Sequence, residues 1–159
     1  STENCVIVNN TLYKNATQGD WGAELYVQFD TRDNIVKNNI IYANDARLFI
    51  ESWSEVMTDN IVDYNLFFAA GGGTDGSWIW KGSTYTQFGD YQQASANDAN
   101  SLTGLDPLFV STTTPDLHLQ PISPAIDKGQ DLPEAGRVDI DGLPRVKGTA
   151  IDMGAAEIR

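Results

Sequence analysis

Hydrophobic residues in the first half of the chain come in short β-branched or aromatic runs, joined in pairs at Asn-Asn or Tyr-Asn. The phrase Asn34-Ile-Val-Lys-Asn-Asn-Ile-Ile-Tyr-Ala-Asn44 shows the pattern, and it has a copy on either side. The earlier copy is Asn4-Cys-Val-Ile-Val-Asn-Asn-Thr-Leu-Tyr-Lys-Asn15 and the later one is Asn60-Ile-Val-Asp-Tyr-Asn-Leu-Phe-Phe-Ala-Ala70. Aligning Asn10, Asn39 and Asn65, which lie 29 and 26 residues apart, brings Val6, Ile35 and Ile61 into one column. Ile7, Val36 and Val62 form the next column, Leu12, Ile41 and Phe67 another, and Tyr13, Tyr42 and Phe68 the last. A repeat of this length predicts a solenoid, in which one unit cannot bury its own apolar face and stacking completes the core. The runs are too short and too β-branched for amphipathic helices, so each copy reads as two strands with a bend between them. Asparagine tolerates the left-handed backbone region and suits that bend. Stacked about 4.8 Å apart, Asn10, Asn39 and Asn65 would form an amide ladder at a corner.

A third strand per repeat is expected at Glu24-Leu-Tyr-Val-Gln-Phe-Asp30, Arg47-Leu-Phe-Ile-Glu-Ser-Trp53 and Ser77-Trp-Ile-Trp-Lys81. Period-2 alternation turns Leu25, Val27, Phe29, Leu48, Ile50 and Ile79 inward and leaves Tyr26, Gln28, Phe49, Glu51, Trp53, Trp78 and Trp80 outward. In register, Tyr26, Phe49 and Trp78 make one outward column and Gln28, Glu51 and Trp80 the next, with Asp30 and Trp53 further along. Aligned rings offer flat faces to a sugar chain, and the carboxylates and amides beside them suit its hydroxyls. The competing outcome is that the segment 83–105 folds over this face and buries the rings.

The spacers Ala16 to Gly22 and Gly71 to Gly76 read as a polar turn and a flexible lead-in; the second lacks the Lys-Ser/Thr of a phosphate loop. Thr84 to Asn97 predicts a helix with Thr86 as N-cap and Phe88, Tyr91 and Ala94 on one face, a lid over the side or end of the stack. Beyond Leu105 come six prolines, from Pro107 to Pro144, which suit a region where ladder pairing stops, so edge capping is the expected role. The layout is a single domain: regular coils over 1–82, a helical lid over 83–104 and a capping segment over 105–159. The fold class expected is all-β: a short right-handed parallel β-helix of about three to four coils with one short helix and an irregular proline-rich cap.

The repeat resembles the right-handed parallel β-helix of the pectate-lyase-like superfamily, whose coils carry such an Asn corner. The segments Asp106-Pro-Leu-Phe-Val110, Asp116 to Gly129, Asp139-Ile-Asp-Gly-Leu-Pro-Arg145 and Asp152-Met-Gly-Ala-Ala-Glu157 resemble the closing segment of secreted bacterial β-helix proteins associated with polysaccharides. The resemblance implies an extracellular or cell-surface location and a polysaccharide partner. An unpaired edge on the first coil further suggests the C-terminal part of a longer protein.

Composition narrows the partner. A net charge of −12 argues against nucleic acid and against a basic groove for acidic glycans. A neutral polysaccharide, or an anionic one bridged by Ca²⁺, fits better. No stretch has the length of a membrane span. Cys5 is the single cysteine, and its apolar column suggests a buried thiol.

Catalytic constellations are weak. A glycoside hydrolase needs two carboxyl groups on one groove, and the coil faces offer only Asp30, Glu51 and Asp63, scattered. A lyase needs Ca²⁺ or Arg on the uronate and a base at its C5, and His118 alternates with Leu117 and Leu119 as a structural residue would. Asp139 and Asp141 faintly match a calcium loop without its later acidic ligand; an Asp–Arg pair involving Arg145 and Asp152 accounts for them more simply. The reading is therefore a non-catalytic carbohydrate-binding module using Tyr26, Gln28, Phe49, Glu51, Trp53, Trp78 and Trp80, with no required cofactor. The alternatives are the C-terminal fragment of a β-helix lyase or hydrolase, and a structural cap of a longer solenoid.

Overall fold

The computed structural model describes residues 2–15, 22–27, 29–69 and 76–159. The spacers expected at 16–22 and 71–76 lie outside these apart from Gly22 and Gly76, and so does Gln28.

Each copy of the repeat contributes three strands. The first supplies β1 (Val6–Val8), β2 (Thr11–Tyr13) and β3 (Leu25–Tyr26), and the second β4 (Ile35–Lys37), β5 (Ile40–Ala43) and β6 (Leu48–Glu51). The third supplies β7 (Ile61–Asp63), β8 (Leu66–Ala69) and β9 (Ser77–Trp80). Equivalent strands pair in parallel, so the chain builds three sheets at once: β1-β4-β7, β2-β5-β8 and β3-β6-β9. In the first two sheets the pairs are those of the sequence alignment, Val6 with Ile35 with Ile61 and Leu12 with Ile41 with Phe67. After β9 the chain turns back into β10 (Ser83–Tyr85), antiparallel to β9, and enters the helix α1 (Phe88–Ser95). It then adds β11 (Leu102–Thr103) beside β8 and closes with the antiparallel pair β12 (Phe109–Ser111) and β13 (Asp116–Leu119). The fold is all-β with one short helix.

The corners use asparagine in two ways. Asn10 Nδ2 donates to Asn39 Oδ1 and Asn39 Nδ2 to Asn65 Oδ1, both at 3.0 Å. The left-handed backbone conformation falls one residue earlier, at Asn9, Asn38 and Tyr64. The expected bend and ladder are thus two neighbouring columns. A second ladder runs five residues upstream, where Asn34 Nδ2 donates to Asn60 Oδ1 at 2.8 Å, again just after left-handed residues at Asp33 and Asp59. Cys5 occupies the first position of that column, and its thiol is half-buried, not enclosed.

The interior between the three sheets is filled by Leu25, Val36, Ile41, Ile50, Val62, Phe67 and Trp78. A second core lies on the other face of the middle sheet, where Ile40, Leu66 and Phe68 meet Phe109, Leu119, Ala125 and Met153. β5 and β8 read Ile-Ile-Tyr-Ala and Leu-Phe-Phe-Ala because both of their faces are covered. This corrects the capping role expected of the proline-rich tail. The tail covers the flank of the middle sheet, tied there by bonds from Gly154 N to Asn38 O at 2.8 Å and between Asn38 and Gln130 at 2.8 Å. The third-repeat end is closed by α1 and the following turn instead. Tyr91 stacks on Trp78 with ring centroids 5.4 Å apart, and Asp98 N donates to Val62 O at 2.7 Å. The helix starts after Gln87, which makes no side-chain cap, so the expected N-cap at Thr86 is displaced by one residue.

Candidate functional site

The outward aromatic columns expected on the third sheet are not what forms. A bulge between Leu48 and Ile50 inserts one residue into β6, and in a period-2 strand one residue exchanges the two faces. Leu25, Ile50 and Trp78 therefore share the inward column, while Tyr26, Glu51 and Ile79 share the outward one. Phe49, Trp78 and Trp80 are 1%, 1% and 5% exposed and belong to the core, packed with Phe67, Phe88 and Tyr91. These three are corrected from binding residues to core residues. Phe29, expected inside, is 70% exposed and has a left-handed backbone. Gln28 lies outside the described residues.

Among the described residues, what remains of the predicted face is a compact group of three. Glu51 is buried, and its carboxylate accepts the Trp53 indole N–H from one side. From the neighbouring strand the Tyr26 hydroxyl donates to the same carboxylate. Dehydration of that hydroxyl, with the hydrogen bond and negative charge of Glu51, pushes its pKa up to about 12. Tyr26 is 42% and Trp53 52% exposed, so the two rings present free faces while one carboxylate holds their polar edges. The segment after Glu51 is anchored by Ser52, whose N–H donates to Ile79 O and whose carbonyl accepts from Gly82 N, at 2.8 and 3.0 Å. Asp30, the other acidic candidate on this side, is drawn off by Arg32, which also pairs with Glu3 at 2.8 Å.

Of three further polar clusters, the sequence named members of two, His118 and the group Asp139, Arg145 and Asp152, and missed Asp98. At the end of the Asn10–Asn39–Asn65 ladder, the buried Asp98 accepts from Tyr91 Oη at 2.9 Å and from Ser101 Oγ at 2.5 Å. Burial pushes its pKa up to about 7. In the tail, Asp139, Arg145, Asp152 and Glu157 are all buried. Asp139 accepts the backbone N–H groups of Asp141, Leu143 and Glu157, and Asp152 those of Asp127 and Ile158. Burial, then the charge of Asp152, pushes Glu157 up to about 7, and Arg145 stands 3.8 Å from it. The Asp–Arg pair expected of Arg145 and Asp152 is therefore an Arg145–Glu157 pair with Asp152 beside it. The third cluster is His118, whose Nδ1 meets Asp116 and whose Nε2 lies 2.8 Å from both Asp141 Oδ2 and Arg159. Asp139 and Asp141, the calcium candidates, thus have separate partners. Among the described residues no group of three His, Cys, Asp or Glu side chains is placed to hold a metal ion. Also among the described residues, no helix is long and apolar enough to cross a membrane.

The chain is similar to the uncharacterized protein YwoF of Bacillus subtilis strain 168, with 37% identity over 124 residues. That match covers 78% of this chain and 26% of YwoF, so the chain spans about a quarter of that relative's length. No family model and no solved structure matches.

Proposed function

We propose that the chain is a stretch of right-handed parallel β-helix of the pectate-lyase-like kind, and that it acts outside the cell as a non-catalytic module holding polysaccharide against Tyr26 and Trp53. The helix reading is supported by three parallel sheets that each take one strand from every repeat, with two asparagine columns at their corners. The binding reading rests on one observation: two exposed aromatic rings are hinged on a single buried carboxylate. Rings held in place lose little rotamer freedom when a sugar stacks on them, so more of the contact energy appears as affinity. The net charge of −12 favours a neutral chain over a polyanion.

Affinity electrophoresis through gels containing neutral and acidic polysaccharides tests this. The native chain is retarded by at least one neutral glycan, and Trp53→Ala abolishes the retardation while leaving the circular dichroism spectrum unchanged. Equal retardation of native and Trp53→Ala chains removes the site. Release of reducing or unsaturated ends would favour the alternative, a fragment of a hydrolase or lyase.

A further inference from the structure

The two ends of the stacked sheets are finished differently. Along both amide columns a rule holds: an asparagine Oδ1 accepts the backbone N–H of the residue one repeat earlier. Asn39 Oδ1 takes Asn10 N at 2.9 Å, Asn65 Oδ1 takes Asn39 N at 3.0 Å, and Asn34 Oδ1 takes Cys5 N at 2.8 Å. Each buried amide also sends its Nδ2 back to a carbonyl of the earlier repeat, Asn39 to Ile7 O and Asn65 to Val36 O. At the third-repeat end the pattern is closed: Asn97 Oδ1 takes Val62 N at 2.9 Å, Ser101 Oγ takes Asn65 N at 2.8 Å, and α1 lies over the core.

At the first-repeat end it is not. Asn10 Oδ1 accepts no hydrogen bond among the described residues, and its Nδ2 turns to Val8 O of its own repeat. Val6 and Thr11 correspond to Ile35 and Ile40, whose N–H groups donate to Cys5 O and Asn10 O at 2.8 and 2.9 Å; their own N–H groups have no hydrogen-bond partner among the described residues. The packing agrees. Ile7 and Leu12 are only half-buried, while their column mates Val36, Val62, Ile41 and Phe67 are 3% exposed or less. A cleft lined partly by Cys5, Ile7 and Tyr26 reaches inward to Val36 and Val62. The 3-10 turn Pro133–Ala135 runs beside β1 without a backbone hydrogen bond to it.

We propose that the edge formed by β1, β2 and β3 is a docking surface for one further repeat of the same polypeptide. That repeat is an extended coil running parallel to β1 and β2, and its residue opposite Asn10 donates a backbone N–H to Asn10 Oδ1. A second copy stacked head to tail is excluded by the closed third-repeat end. One stacked head to head would run antiparallel and lose the amide register. YwoF, in which the matched segment is about a quarter of the length, leaves room for such coils. The inference rests on hydrogen-bond register and is independent of the glycan reading.

The probe is the chain's own second repeat. Asp33, Asp59 and Asn4 hold equivalent left-handed positions, so a copy of residues 33–58 placed directly before Asn4 meets the natural junction geometry. In this extended chain, hydrogen exchange at Val6 and Thr11 slows by at least about tenfold relative to the natural chain. Asn10→Ala lowers the melting temperature more in the extended chain than in the natural one, and the extended chain remains a monomer. Unchanged exchange at Val6 and Thr11 overturns the proposal, including where the copied coil stays disordered on a folded chain. Concentration-dependent protection of these amides in the natural chain, with a dimer on size exclusion, also overturns it, because the occupant is then a second copy.

Discussion

Asn39 and Asn65 are joined through one oxygen: Oδ1 of Asn65 accepts both the side-chain Nδ2 and the backbone N–H of Asn39, each at 3.0 Å. Both residues are fully buried, so neither amide has water to fall back on. Asn39→Ala leaves Asn10 N, Ile7 O and part of the Asn65 amide without partners, and it is expected to cost about 2–4 kcal/mol. Asn10→Ala, at the exposed rung, is expected to cost roughly 1 kcal/mol. Urea denaturation of the two variants checks the order; equal losses would mean that the ladder does not stabilise the corner.

Asp98 links this ladder to the helix that closes the stack, and burial pushes its pKa up to about 7. A carboxyl group with a raised folded-state pKa binds its proton more tightly in the native state. Its contribution is therefore favourable at pH below the ordinary value near 4 and is lost as the pH rises towards 7. Asp98→Asn keeps an acceptor for Tyr91 and Ser101 and removes that titration. The variant is expected to gain stability relative to the native chain between pH 4 and pH 8, by roughly 2–4 kcal/mol. Denaturation curves at the two pH values decide it, and parallel losses in both proteins would show that Asp98 does not titrate in that window.

Trp53 and Trp78 have opposite roles despite similar sequence settings. Trp78→Ala empties a fully buried site beside Phe49, Phe67 and Tyr91 and is expected to destabilise by about 3–5 kcal/mol. Trp53→Ala is expected to change stability by under about 1 kcal/mol, since the ring is half exposed. A melting series separates them.

His118 joins Asp116 on β13 to Asp141 and Arg159. The hydrogen bond to Asp116 and then that to Asp141 raise its pKa above the ordinary imidazole value, against desolvation and the nearby Arg159 charge. Its stabilising effect is complete below pH 6.5 and is lost as pH rises through the higher folded-state value. An NMR titration of the imidazole should give a pKa above 6.5 that falls in Asp116→Asn. A native-chain value at or below 6.5 would show that Asp116 and Asp141 do not hold the imidazolium.

The candidate face was only partly legible, and the losses have identifiable causes. Tyr26, Glu51 and Trp53 meet because β3 pairs with β6 two residues away from the expected register, which sets Tyr26 opposite Glu51 and not opposite Phe49. Phe49 is the extra residue of the bulge between Leu48 and Ile50, and the bulge sets Trp78 opposite the inward Ile50, so Trp78 and Trp80 turn inward while Ile50 and Glu51 keep their expected faces. Nothing in Arg47-Leu-Phe-Ile-Glu announces a bulge. The segment from Ser83 carries Phe88 and Tyr91 to the very place where Trp78 needs cover, which favours the inward ring. Asp98 was unreadable for a different reason: its partners Tyr91, Ser101 and Asn65 converge only after the helix has folded across the end of the stack.

By itself the sequence determined the repeat, the pairing of the first two sheets and the Asn10–Asn39–Asn65 column. Those depend on side chains of one type recurring at a fixed spacing, and parallel stacking turns spacing directly into contact. The tertiary structure alone decided which face of the third sheet looks inward and that the proline-rich tail covers a flank instead of an edge. It also decided which carboxylates are buried. These outcomes depend on what packs across a strand from a distant part of the chain, and neither periodicity nor composition carries that information.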